Sequence, residues 1–113
     1  MDILLTNVTL IDGTGRAPQE QAVIAIRDGK ILYAGPASGW SEARQGVITL
    51  DLGGGFILPG LIDTHVHLAG AGELDSQFRA DDASMALKML SNAQKNLAAG
   101  ITTVRDLGGW NEI

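Results

Sequence analysis

The sequence predicts an α/β fold, and three observations predict it. Four short β-rich segments with glycine turns fill the first half. A triple glycine, Gly53 to Gly55, marks a change of character, and one amphipathic helix between two apolar strands fills the second half. The element order strand, loop, helix, strand at the end is a single βαβ unit, for which parallel strands and a right-handed crossover are expected.

Each element has its own local signal. ILLTNVTLID, from Ile3 to Asp12, is an apolar and β-branched run that stops at Asp12-Gly13, so a strand is expected there, with GTGRAPQEQ as the loop after it. AVIAI, the turn RDGK and ILYAG form the strongest hairpin signal, because Asp28-Gly29 suits a two-residue turn with positive φ. ASGWSEARQG reads as a loop or short helical turn, and VITLDL as a fourth strand. Beyond the glycines, FILPGLIDTHVHL is almost continuously apolar, the pattern of a strand buried on both faces. Polar residues and glycines in AGAGELDSQFRADD then predict a loop.

Asp82 to Ala99 is predicted helical, with Ala83, Ala86, Leu87, Leu90, Ala93 and Leu97 recurring at three- and four-residue spacing. Asp81 or Asp82 supplies the N-cap, and Gly100 stands at the C′ position. Met85 and Met89, four residues apart, read as packing residues. ITTVRDLGG closes the unit as a β-branched strand ending in Arg105-Asp106. Trp40 and Trp110 fall in loops.

Within THVHL, His65 and His67 are the chain's two histidines. Side chains on a strand alternate faces, so His65, His67 and Asp63 point one way, and Thr64, Val66 and Leu68 the other. Two imidazoles aimed at one point can share a divalent cation, with metal–nitrogen distances of about 2.0–2.1 Å for zinc. Asp63, deeper in the strand, is placed to orient an imidazole or a backbone group. The pair sits near the C-terminal end of its strand, where parallel α/β folds carry their chemistry.

Composition narrows the rest. With 113 residues, 45% of them hydrophobic, the chain can bury a core, and a net charge of −5 without any basic block argues against nucleic acid or an anionic membrane as partner. The absence of cysteine removes disulfides, thiolate catalysis and cysteine zinc sites, and fits a cytoplasmic location. The start, MDILLTNVTL, has an acid at position two and no basic n-region, so no signal peptide is expected. The glycine triplet matches neither phosphate-loop nor dinucleotide spacing.

GGGFILPGLIDTHVHLAG resembles the first barrel strand of the amidohydrolase superfamily: a Pro-Gly, then Ile-Asp, then H-x-H. AVIAIRDGKILYAGP resembles the N-terminal β segment of that family, and NLAAGITTVRDLGG is similar to the helix-to-second-strand segment of its imidazolonepropionase-like and metal-dependent Xaa-Pro dipeptidase branch. The resemblance implies a small β-sandwich and a (β/α)8 TIM barrel. Residues 1–55 would be a segment of the sandwich and 56–113 the first βαβ unit of a truncated barrel, the chain being an N-terminal fragment.

It further implies that His65 and His67 hold one or two divalent metals, zinc foremost, which activate water for hydrolysis of amide, peptide or cyclic amide C–N bonds. A small-molecule amide or a dipeptide is the implied substrate. Arg105 and Asp106, ending the second strand on the active-site side, are candidate substrate-side residues. In the family a lysine, two further histidines and an acidic general base come from later strands, and they have no match here: Lys30 is in the hairpin turn, and Lys88 and Lys95 are in the helix. The isolated chain is therefore expected to be inactive, and to self-associate or to need the rest of a barrel. The competing reading is a non-catalytic assembly module with vestigial or inter-chain metal-binding histidines.

Overall fold

β-Branched and apolar runs form the strands of the first half, and those strands assemble out of sequence order. The computed structural model describes residues 2–41, 46–70 and 81–108. Strands β1 (Ile3–Leu10), β2 (Gln19–Arg27), β3 (Lys30–Pro36) and β4 (Ile48–Ile57) make one sheet in the order β3-β2-β1-β4. β2 runs antiparallel to β1 and β3, whereas β4 lies parallel to β1. A second sheet pairs β5 (Leu61–Val66) with β6 (Ile101–Asp106) in parallel, and helix α1 (Asp82–Ala98) lies between them in the chain. The fold is thus mixed α/β, with a β-sandwich-like sheet and a βαβ segment. It divides into two compact units, Met1–Pro59 and Gly60–Ile113.

In the first unit the core forms two clusters, which the strand period separates along β2 and the bulge between Thr6 and Val8 exchanges along β1. Val8, Leu10, Ala22 and Ile24 cluster on one face, supported by Leu5, Ile26 and Ile57. Leu4, Val23 and Ala25 cluster on the other, under Tyr33, Trp40 and Val47. The Trp40 and Tyr33 rings sit 5.4 Å apart, so Trp40 packs on the sheet although it lies outside any strand. Asp28 and Gly29 take φ of 50° and 73°, the left-handed pair that a two-residue hairpin turn requires.

Two expectations change here. The glycines do not end a strand: β4 runs through Gly53–Gly55 to Ile57. The ladder with β1 skips from Thr6↔Asp51 to Val8↔Gly55, so the glycines form a bulge and pairing resumes beyond it. The Asp51 carboxylate holds the bulge, accepting from the Gly53 amide at 2.8 Å and from Asn7 Nδ2 at 2.9 Å. These two donors, the Gly53 N–H first, hold the Asp51 carboxyl below its ordinary value of 3.8. Consequently FILPGLIDTHVHL is not one strand. Phe56 and Ile57 belong to β4, Pro59-Gly60 interrupts, and β5 begins at Leu61. The predicted loop also loses Gln19–Gln21, which belong to β2, Gln19 pairing with Leu10.

In the second unit, Asp81 caps α1 by accepting from the Ser84 amide at 2.7 Å, and Ala99 and Gly100 close its other end through amides bonded to Lys95, Asn96 and Leu97 carbonyls. The buried face of α1 is not the expected stripe. Met85 is fully buried and Met89, Asn92 and Ala93 are partly so, while Leu87, Leu90 and Leu97 are 69%, 56% and 64% exposed. Likewise β5 is not buried on both faces, since Leu61 and Ile62 are exposed. Its one neighbouring strand among the described residues is β6, which leaves its other edge without a described partner strand. The part of the predicted loop at 71–80, the segment 42–45 and Trp110 lie outside the described residues. Among the described residues no helix is long and apolar enough to cross a membrane.

Gly60 sets how closely β5 and β6 begin. The register moves from Leu61↔Ile101 to Ile62↔Thr103, which makes Thr102 an extra residue. Thr102 lies over Gly60: a Cβ placed there would stand 2.7 Å from Thr102 Cβ, and closer still to its Oγ1 and Cγ2. Rotating the Thr102 side chain cannot relieve a clash with its own Cβ, so the backbones would have to part.

Two outcomes are expected. Gly60→Ala should cost about 1–3 kcal/mol by overpacking, and a double-mutant cycle in urea with Thr102→Gly should recover part of that cost; strict additivity would refute the contact. The second concerns acid. A carboxyl held below 3.8 contributes stability that is fully present above 3.8 and lost as pH falls through its lower folded value. The melting temperature should fall on acidification below pH 3.8, and less steeply for Asp51→Asn than for the parent. Identical slopes would show that Asp51 does not carry the effect.

Candidate metal centre

The β-branched stretch Ile62 to Val66 extends β5, and its parallel partner β6 fixes where it ends. His65 lies within β5, and His67 lies one residue past its last paired position, Val66. Both imidazoles are exposed, not buried. They converge nonetheless: the two Nε2 atoms stand 3.3 Å apart, with ring centroids 5.2 Å apart and the planes inclined at 69°. The period-two expectation of a shared direction therefore agrees with the geometry.

The polar groups around the pair act mainly through backbone. Asp63 Oδ1 accepts from the His65 amide at 3.0 Å, a two-residue turn of the chain onto a carboxylate. Asp63 is half-buried and touches the backbone of His65, not its ring. His67 Nδ1 lies 2.6 Å from the Gly108 carbonyl oxygen. A carbonyl only accepts, so this contact assigns the proton to Nδ1 and leaves the His67 Nε2 lone pair facing His65.

Asp106 is likewise engaged with backbone. Its Oδ2 accepts from the Leu68 amide at 3.1 Å, and its Oδ1 from the Gly108 amide at 2.8 Å. Arg105 is exposed one position back on β6, and strand alternation turns it to the other face. On the helix side, Asn92 Nδ2 donates to the Leu68 carbonyl at 2.8 Å. Gly108 and Asn92 escaped the sequence reading. The Asp106-x-Gly108 spacing is an Asx-turn signal that pointed to the first; nothing local pointed to Asn92.

The donor set suits a divalent transition metal. Two nitrogens bound to one cation at about 2.0–2.1 Å in a tetrahedral set stand roughly 3.3–3.4 Å apart, which matches the Nε2 separation. Among the described residues no third histidine, aspartate or glutamate joins the pair. Two imidazoles fall short of the three protein ligands that a catalytic zinc usually takes.

Comparison with known proteins bears on what such a strand belongs to. The model of the amidohydrolase family matches residues 56–112, which include β5, α1 and β6. The imidazolonepropionase of Myxococcus xanthus (strain DK1622) is 30% identical over 117 residues, covering 93% of this chain and 28% of that protein. The solved structure of molinate hydrolase superposes with a TM-score of 0.77 at 30% identity, over 99% of this chain and 24% of that one. A solved prolidase superposes with a TM-score of 0.81 at 22% identity, over 97% of this chain and 26% of its own, a likeness of fold. The chain spans about a quarter of the length of these relatives. With the family model covering half its length, and with the strand that bears the converging histidines inside the matched segment, the chain belongs to the amidohydrolase family.

Proposed function

We propose that His65 and His67 are ligands of a divalent metal, zinc foremost, in a hydrolase of C–N bonds. The observation that carries this reading is the 3.3 Å approach of the two Nε2 atoms at the C-terminal end of a parallel strand. Family membership supports it, as do relatives named imidazolonepropionase and molinate hydrolase. When bound there, the metal supplies a water of lowered pKa and a Lewis acid for a carbonyl oxygen. The chain's own residues hold the ligands: Asp63 fixes the His65 backbone, and the Gly108 carbonyl fixes the His67 ring. The substrate class is a small amide, a cyclic amide or a dipeptide, and the setting is cytoplasmic.

In this reading residues 1–55 are a β-sandwich segment, and 56–113 the first βαβ unit of a (β/α)8 barrel. The exposed Ile62, Leu87, Leu90 and Leu97 fit a unit whose faces are covered by further strands and helices.

Zinc titration against a chromophoric chelator should show saturable uptake that His65→Ala and His67→Ala each abolish. Uptake that survives both substitutions would refute the assignment. A catalytic zinc takes three protein ligands in general, and this chain has two histidines and no cysteine. The 113 residues alone should therefore give no turnover of dipeptides, N-acyl amino acids or cyclic amides in added zinc. Turnover lost on His65→Ala would show the two-histidine set to be sufficient.

A further inference from the structure

His65 and His67 are held differently. His65 is inside β5, flanked by the paired residues Asp63 and Val66 and held at its own amide by Asp63, whereas His67 lies beyond the last paired residue and depends on other contacts. Those contacts converge on its neighbour. Leu68 is gripped at both backbone groups, its amide by Asp106 Oδ2 at 3.1 Å and its carbonyl by Asn92 Nδ2 at 2.8 Å. The other Asp106 oxygen accepts from the Gly108 amide at 2.8 Å, and the carbonyl of the same Gly108 receives His67 Nδ1 at 2.6 Å. Gly108 takes φ +88°, a conformation that an L side chain rarely adopts. The single carboxylate of Asp106 therefore joins the chain after His67 to the carbonyl that orients the His67 ring.

We propose that Asp106 is a positioning residue for His67: by bridging Leu68 and Gly108 it holds the Gly108 carbonyl on Nδ1, and so keeps the ring oriented with Nε2 turned to His65. The inference rests on the metal reading for its purpose but not for its geometry. Asp106 touches neither imidazole among the described contacts; it acts through backbone. An outer partner of this kind fixes tautomer and ring orientation, and its loss typically costs about 10–100-fold in metal affinity.

The test uses the metal-free, 15N-labelled protein at mildly alkaline pH, with imidazole nitrogen shifts reporting the tautomer of each histidine. The parent should show His67 protonated at Nδ1. Asp106→Ala should move the His67 nitrogens toward the averaged position of a freely exchanging ring while those of His65 stay in place. Asp106→Asn keeps the shape and one accepting oxygen, so it should give an intermediate shift with an unchanged melting curve, and it decides the matter if Asp106→Ala fails to fold. Zinc affinity should fall about 10–100-fold in Asp106→Ala. An unaltered His67 tautomer in both variants overturns the proposal, as does equal movement of both histidines, which marks general loosening. If the tautomer depends on Asp106 but the parent takes up no zinc, the positioning of His67 is supported and the metal reading alone is refuted.

Discussion

Everything at the candidate centre depends on the parallel pairing of β5 with β6. Parallel strands present their C-terminal ends on the same side, so the end of β5 with its histidines and the end of β6 with Asp106 and Gly108 become neighbours. Helix α1 is what makes that pairing available, since parallel strands need a crossover. Its cap at Asp81 and its close at Ala99–Gly100 set the length of the helix. Gly60 then lets the two strands start in close contact, because Thr102 occupies the space that a side chain would need.

The division of labour among the acidic residues follows from geometry. Asp51, Asp63 and Asp106 each accept a backbone N–H two residues ahead, at Gly53, His65 and Gly108. The same local device serves three ends. At Asp51 it stabilises a bulge that lets β4 continue. At Asp63 it stiffens the strand just before the first histidine, and at Asp106 it presents a carbonyl to the second. A carboxylate near a pair of imidazoles is readily taken for a direct participant; here two of them work on the main chain.

Much of this was legible in the residues. The strands of the first half, the Asp28-Gly29 turn, the capped helix and the parallel βαβ order all rest on local signals, namely β-branching, turn chemistry and capping. The shared direction of His65 and His67 rests on the period of two. The errors have a common cause. The glycine triplet looked like a strand end because glycine weakens strands, but pairing with β1 and the Asp51 clamp carried β4 through it. The apolar run from Phe56 looked like one strand because hydrophobicity carries no record of which sheet each residue joins. The helix stripe misled for a similar reason: periodicity identifies an apolar face, whereas the partner decides which face is covered. Met85, with Asn92 beside it, won that position over Leu87 and Leu90.

Local chemistry in the chain was enough to establish that a strand would end in two imidazoles on one side, because backbone alternation needs no distant partner. Which groups hold those imidazoles was decided only in three dimensions. Gly108 lies 41 residues from His67, and Asn92 lies 24 from Leu68. No pattern within a window of a dozen residues can reach that far. The contact exists because a crossover helix returns the chain in parallel and sets one strand end beside another.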